Sequence, residues 1–109
     1  MEKLLESMKV AMELIEETAG LFYQQKQQEG LQKLEQMIAV IMAMLENVRC
    51  YQKDQPILRL EERQFNLILT NALEVLAQKD YVLLADILTF EVNGVIGNAL
   101  KELQLYANS

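Results

Sequence analysis

The sequence lacks histidine and contains little cysteine, proline or glycine. Without histidine, the chain has no side chain of the kind most often used as a general base, a metal ligand or the partner of a nucleophile. Cys50 is the only cysteine, so no internal disulfide can form, and its place near the end of an apolar helix predicts an ordinary small apolar residue. These scarcities argue against an enzyme and predict no catalytic residue, no metal ligand and no cofactor.

The balance of charge and the distribution of apolar residues exclude further classes of partner. Ten basic against 16 acidic residues give a net charge of −6, which disfavours a nucleic-acid partner, and the basic residues form no cluster for an anionic membrane. The N-terminus has no basic segment followed by an apolar one, and the longest unbroken apolar run, 38–45, is far shorter than a membrane span. We therefore expect a cytoplasmic protein with no membrane partner.

Apolar residues recur with helical periodicity along a chain that has one proline and four glycines. A length of 109 residues predicts a single domain, 1–109, and no strand pattern is present. The predicted all-α fold is an up-down-up-down four-helix bundle. Its helices are expected at about Glu2 to Tyr23, Leu31 to Tyr51, Pro56 to Gln78, and Asp80 to Tyr106.

The connection at Lys79 and the relation between the two halves each leave an alternative open. Asp80 is a plausible N-cap after a short turn, although a single helix kinked at Lys79 fits as well. A shift of about 53 positions aligns a helix, a polar turn and a second helix in both halves. The halves are therefore either an ancestral duplication of a helical hairpin or a chance similarity.

The last helix carries more apolar residues than one buried face requires. At about 100° per residue, its core stripe is Tyr81, Leu84, Leu88, Val92, Val95, Ala99 and Leu103. A second stripe on the last helix contains Leu83, Ile87, Phe90 and Gly94, and a corresponding one on the first helix contains Val10, Leu14 and Leu21. Because a small bundle has one core, these seven residues form a predicted interface, either with a second copy in a homodimer or with an amphipathic helix of a client.

Several other residues in and around the core have a structural and a functional interpretation. Asp86 is expected on the exposed polar side of the last helix together with Asn93, and Glu91 is expected to reach the rim and pair with a neighbouring helix. Gly94 indicates either close approach of another helix or a kink. The methionines of the second helix, Met37, Met42 and Met44, favour core filling over a binding groove.

The class of function that these observations favour is protein–protein interaction. The alternative from a different class is a small-molecule binder with an apolar ligand between the helices. An enzyme is the third and least favoured class.

Two segments resemble a known family. KDYVLLADILTFE, from Lys79 to Glu91, and EGLQKL, from Glu29 to Leu34, are similar to patterns in an uncharacterised family of small helical proteins (a domain of unknown function) of Gram-positive, often spore-forming bacteria. That resemblance implies a helical fold and no chemistry. The architecture also resembles the flagellar export chaperones, which hold a partner's helix against an apolar groove. This second resemblance implies a chaperone-like role.

Overall fold

The computed structural model describes residues 2–54 and 62–107. Over these ranges the chain is helical, without strands, and forms α1 (Glu2–Tyr23), α2 (Gln27–Asp54) and α3 (Glu62–Ala77). It then forms α4 (Tyr81–Asp86), a π-helical segment (Ile87–Val92) and α5 (Asn93–Ala107). The last three run on without a break, and together they are called the C-terminal helix. The predicted all-α class and the four helices of the described ranges are confirmed.

The helix boundaries agree closely with the prediction at α1 and differ at α2. The α1–α2 turn is shorter than expected, because α2 begins at Gln27 rather than Leu31 and continues to Asp54. The expected turn and helix start around Pro56 lie outside the described residues. The helical conformation is interrupted between Ala77, where α3 ends, and Tyr81, where α4 begins. The alternative of one kinked helix through Lys79 is therefore wrong.

The two described turns have the same hydrogen-bond pattern. Lys26 N–H donates to the Leu21 carbonyl and Gln25 N–H to that of Phe22, while Asp80 N–H donates to Val75 and Lys79 N–H to Leu76. This pattern is the Schellman motif, which places one residue in the left-handed conformation, here Gln25 at φ 63° and Lys79 at φ 61°. Matching turns are compatible with a duplicated hairpin, but the motif is common, so the duplication stays a prediction.

The capping prediction at Asp80 is confirmed. The Asp80 carboxylate accepts a hydrogen bond from the backbone N–H of Leu83 at 3.1 Å, which satisfies one of the N–H groups that a helix start leaves unpaired. The C-terminal helix therefore begins one residue later, at Tyr81.

The helices do not all pack equally against one another. α1 packs along α2 on one side and along the whole C-terminal helix on the other, and α3 packs on α4 and the π-helical segment. α2 and α3 make few close backbone contacts. One continuous core joins these elements, with Met8, Ile15, Ile41, Phe65 and Leu88 among its most deeply buried side chains. Consequently, the backbones of α2 and α3 stand further apart than those of α1 and α2.

The π-helical segment explains why a periodicity of 100° per residue does not predict every core position of the C-terminal helix correctly. Leu84, Leu88, Val92 and Ile96 are all buried at a constant spacing of four residues. In an α-helix this spacing would drift by about 40° per step, whereas the i→i+5 bonding of a π turn, seen here between Asn93 N–H and the Leu88 carbonyl, accommodates an extra residue. Ile96 therefore occupies the core, and the predicted core residue Val95 is only half-buried.

The same change of register buries a polar residue that was expected to face solvent. Asn93 is 8% exposed, and its amide nitrogen donates to the Met12 carbonyl on α1 at 3.3 Å. The prediction that Asn93 shares an exposed polar side with Asp86 is wrong. The other buried polar residue of the described ranges, Thr18, donates its hydroxyl to the Leu14 carbonyl at 2.6 Å.

Among the described residues, one helix (Tyr81–Tyr106) is long and apolar enough to cross a membrane by length and composition. The core helix of a soluble protein passes the same test, and 44% of the apolar window is buried inside the domain. This finding is weak evidence for a membrane span and leaves the cytoplasmic expectation a prediction.

Candidate interaction surfaces

An apolar groove lies between α2 and α3, where the two helices make few close backbone contacts. Its cavity volume is about 150 Å³, and no polar atom contributes to its lining surface. The groove residues are Leu34, Met37, Ile38 and Met42 of α2, Leu69, Ala72, Leu73 and Leu76 of α3, and Leu84 of α4. This set is called the seam groove. Its surface can bind an apolar guest but offers no group for acid–base chemistry or metal ligation.

The walls of the seam groove are exposed and its floor is buried. Ile38, Met42 and Leu73 are 39%, 56% and 51% exposed, whereas Leu84 is 1% exposed. Leu34, Ile38 and Met42 follow one another at four-residue intervals, but Leu34 is 6% exposed, so the exposed wall on α2 consists of Ile38 and Met42 and extends over about one helical turn, or roughly 6 Å. Side chains at this spacing form one continuous apolar strip along a helix.

Charged residues at one end of the groove join α2 to α3. Arg49 Nε donates to both carboxylate oxygens of Glu62, at 2.9 and 3.1 Å, and its guanidinium also pairs with Glu46 at 3.1 Å. The hydrogen bonds from Arg49 lower the pKa of Glu62 below its usual value, and Glu62 in turn raises that of Arg49. This bidentate geometry fixes the end of α2 against the start of α3.

The predicted interface on the C-terminal helix is only partly at the surface. Leu83 and Phe90 are 43% and 72% exposed, but Ile87 is 4% exposed. The prediction that Ile87 lies on this exposed stripe is wrong, because the residue opens the π-helical segment and packs into the core. Gly94 is half-buried, and a Cβ added to it would meet no atom within 4 Å. No helix of the described residues therefore approaches Gly94 closely.

The three residues of the predicted interface on α1 have different surroundings. Val10 is exposed in a crevice with Val40 and Ala43 of α2, and Leu21 lines another crevice beside Lys33 of α2. Leu14 is half-buried and packs against the core. The structure thus places Val10 and Leu21 beside α2, away from Leu83 and Phe90, and does not bring the two stripes together as one contact surface.

The acidic residues of the C-terminal helix do not converge on a site. Asp86 is half-buried and accepts a hydrogen bond from the Tyr23 hydroxyl, so the expectation that it is simply exposed is wrong. That bond raises the pKa of Tyr23 above its ordinary value. Glu91 is exposed and makes no ion pair with the described residues, in contrast to the pairing expected for it. Within residues 2–54 and 62–107, no group of three or more acidic or cysteine side chains is placed to hold a metal ion.

The methionines and the cysteine of α2 divide between core and surface. Met37 and Met44 are buried, as core filling predicts, but Met42 is exposed on the groove wall. Cys50 is free and exposed, and its interpretation as an ordinary small apolar residue stays a prediction. The seam groove was not predicted, although its main signal was available: Met42 lies in line with Leu34 and Ile38.

The described residues form a small all-α domain with an apolar groove and exposed apolar side chains on its surface. The chain belongs to the family described as a domain of unknown function, DUF8042, whose model matches residues 1–99. No curated protein and no solved structure matches the chain. The resemblance to a family of unknown function is therefore confirmed. The Gram-positive origin and the similarity to flagellar export chaperones remain predictions.

Proposed function

We propose that this chain is a non-enzymatic, cytoplasmic protein–protein interaction module that holds an amphipathic helix of a client, in the manner of a chaperone or adaptor. In this proposal the four helices run up-down-up-down, and the client helix lies in the seam between α2 and α3. The observation that carries the proposal is the seam groove, an apolar surface between two helices that make few close contacts with each other.

Helix-in-groove recognition requires an apolar strip with side chains that can be covered by a partner's i, i+3/i+4 and i+7 positions. The groove meets this requirement, because Ile38, Met42 and Leu73 are large, apolar and exposed beside a buried floor. Covering such side chains stabilises a complex by about 25 cal/mol for each Å² of apolar area removed from water. Met42 adds a flexible side chain that adapts to different partners.

The alternative function is the binding of a small apolar ligand in the same groove. The entirely apolar lining of the seam groove favours an apolar ligand. The cavity volume of about 150 Å³, however, is below the roughly 300–1,000 Å³ typical of ligand pockets. A cavity of this size accepts a benzene-sized guest, which is equivalent to one large side chain of a partner. The volume therefore favours a protein side chain over a metabolite.

A second interaction surface is Phe90 with Leu83, through which the chain would form a homodimer. Phe90 is 72% exposed, an unusual position for a large aromatic side chain on a small domain. Sedimentation equilibrium of the wild type and of Phe90→Asp tests this version. A dimer that the substitution converts to a monomer supports it, and a monomeric wild type over a wide concentration range rules it out.

Site-specific photo-crosslinking in the producing cells tests the client-helix proposal. A photoreactive aromatic residue at Leu73, on the groove wall, is expected to capture a single helical segment of a partner. The matched control is the same residue at Leu67, which is 66% exposed on α3 but lies outside the groove. Equal capture at both positions, or capture of no defined segment at Leu73, would contradict the proposal. A thermal shift with a small apolar metabolite in place of a protein crosslink would favour the alternative.

A further inference from the structure

The outward face of the C-terminal helix forms a straight line because of the π-helical segment. The buried residues between Leu84 and Ile96 recur every four positions, and at this spacing the residues midway between them lie on the opposite face of the helix. Beyond Ile96 the buried face continues at Ala99 and Leu103. The residues two positions away from the buried ones therefore form a single outward line. This set is called the outer line and consists of Val82, Asp86, Phe90, Gly94, Asn98, Lys101 and Leu105.

The exposure of its side chains agrees with the position of the outer line. Phe90 and Leu105 are each 72% exposed and Val82 is 59% exposed, and the polar residues that follow Gly94 in the line are exposed as well. In a regular α-helix, Val82 and Gly94 would lie about 120° apart around the axis. The π turn, a feature that is frequent at functional sites, brings them onto one face.

Opposite charges take equivalent places on the two sides of the middle of the outer line. Gly94 is the middle residue, Asp86 stands two places before it and Lys101 two places after it. If a second copy packs antiparallel about a twofold axis at Gly94, Asp86 of each copy lies beside Lys101 of the other, so the same pair forms twice. Lys101 makes no ion pair with any described residue. The Asp86 carboxylate accepts the Tyr23 hydroxyl at Oδ1, so its Oδ2 can accept a hydrogen bond from an ammonium group.

The middle of the outer line has room for the close approach of a second helix. Gly94 is half-buried, and a Cβ added to it would meet no atom within 4 Å. Glycine allows a second backbone to come close, although inside a helix it is destabilising relative to alanine. In the antiparallel arrangement the Phe90 ring of the second copy lies over Gly94 and against Asn98. This contact covers the exposed aromatic side chain and accounts for a glycine in the helix interior.

The other exposed residues of this helix lie to one side of the outer line. Leu83, Glu91 and Glu102 each follow a member of the line by one residue, so they lie about 100° from it around the helix. They are exposed and border the proposed contact without entering it. The charged side chains of the line itself are therefore one carboxylate, Asp86, and one ammonium group, Lys101.

We infer that a second copy of the chain packs antiparallel on the outer line, about a twofold axis at Gly94, with Asp86 of each copy paired to Lys101 of the other. This inference rests on the homodimer of the proposed function and adds its geometry. A twofold contact requires a surface that is complementary to itself, a property that binding of a client helix does not require. Val82 and Leu105 meet at the periphery, roughly 17 Å from Gly94 along the helix, where contacts contribute little to affinity.

Exchange of the two charges tests the inference. We expect sedimentation equilibrium of the full chain to show a dimer whose dissociation constant rises at least about tenfold with Asp86→Lys or with Lys101→Asp, because each replaces two attractive contacts by two repulsive ones. Asp86→Lys with Lys101→Asp restores both pairs in the antiparallel arrangement and should return the constant to within about threefold of the wild type. The double variant also lacks the Tyr23 hydrogen bond to Asp86, so its recovery cannot come from that bond. Glu13→Lys, at an exposed position of α1, is the control for net charge and should not weaken the dimer.

Disulfide crosslinking reports the orientation of the two helices by a second route. In a Cys50→Ser background, Val82→Cys alone and Leu105→Cys alone should form no linked dimer, whereas an equimolar mixture should, because only an antiparallel pair brings these two positions within disulfide distance. The control mixture replaces Leu105→Cys by Leu67→Cys, which is 66% exposed on α3. Crosslinking of Val82→Cys to itself would indicate a parallel pair and would overturn the inference.

The remaining outcomes separate this inference from the proposed function. If Phe90→Asp dissociates the dimer but the double charge variant does not restore what the single variants lose, the antiparallel pairing is wrong and the homodimer surface stands. Single charge variants that leave the dimer as strong as the wild type have the same consequence. A wild type that is monomeric over a wide concentration range shows that both the homodimer surface and its geometry are wrong. The client-helix proposal is tested independently by crosslinking at Leu73.

Discussion

The two halves of the molecule use the same turn but build different hairpins from it. α1 and α2 are regular α-helices that pack closely along each other, whereas α3 is shorter and meets a C-terminal helix interrupted by a π-helical segment. The exposed large apolar residues also divide unequally. The first half has Val10, Tyr23, Leu31, Ile38 and Met42, and the second half has Leu67, Leu73, Val82, Leu83, Phe90, Leu105 and Tyr106.

This difference shows how a surplus of apolar residues is accommodated. In α1 a constant helical register is enough to bury Leu4, Met8, Ile15 and Phe22. In the C-terminal helix the π-helical segment takes up one extra residue, which keeps Leu84 and Ile96 on the same face and leaves Phe90 outside. The second half therefore gains both a continuous core face and an exposed aromatic side chain.

The largest expected difference in stability is between two single-residue deletions, one in each half of the molecule. Deletion of Phe90 should convert the π turn to an α turn without rotating either flank, so the domain should stay folded. Deletion of Glu13, also exposed, rotates one end of α1 by about 100° relative to the other. The resulting loss of core contacts should exceed the roughly 5–15 kcal/mol that stabilises a typical domain. Circular dichroism and chemical denaturation of both deletions measure this. If the protein without Phe90 does not fold, the π turn does not accommodate an extra residue.

A smaller loss of stability is expected when Phe22, which contacts both halves of the molecule, is truncated. The Phe22 ring stacks on Tyr81 with centroids 5.5 Å apart, and a Cβ on Gly30 would lie 2.8 Å from the same ring. Phe22→Ala is expected to lower the free energy of unfolding by about 3–5 kcal/mol, because it leaves a cavity between α1, α2 and α4. The matched control, Leu105→Ala, removes a large apolar side chain from a position that is 72% exposed and should change stability by less than about 0.5 kcal/mol. Urea denaturation compares the two, and equal losses would contradict the assigned burial.

The regular helix α1 and the interrupted C-terminal helix also differ in how well the sequence predicts them. The 100° periodicity correctly places α1, because nothing perturbs its register, and turn chemistry locates the break at Lys79 and the cap at Asp80. The same periodicity misplaces Ile87 and Asn93, since a π turn has no signal in a single sequence beyond a repeated four-residue spacing. The seam groove depends on how far α2 and α3 stand apart, and that separation is a tertiary property.

The matched turns give a third comparison, with an expected effect of about 1 kcal/mol. Gln25 and Lys79 are held at positive φ, a conformation that costs residues other than glycine about 1–2 kcal/mol. Gln25→Gly and Lys79→Gly should each raise the free energy of unfolding by up to about 1 kcal/mol, and by similar amounts if the turns are equivalent. Gln24→Gly and Gln78→Gly, one residue earlier, serve as controls and should not stabilise the fold. Stabilisation at only one of the two turns would contradict their equivalence.

The smallest expected effect is the pH dependence of the hydrogen bond that joins the end of α1 to the C-terminal helix. Asp86 accepts the Tyr23 hydroxyl proton, and this bond, with partial desolvation, raises the pKa of Tyr23 above 10.0 in the folded state. The resulting stability is fully present below a pH of about 10 and is lost as pH rises through the folded-state pKa. Tyr23→Phe should therefore be slightly less stable than the wild type near neutral pH, and the difference should disappear in strong alkali. Thermal unfolding across alkaline pH measures this, with Tyr81→Phe as the control, because the Tyr81 hydroxyl has no hydrogen-bond partner among the described residues. A Tyr23→Phe difference that is constant with pH would show that the ionisation of Tyr23 is not coupled to folding.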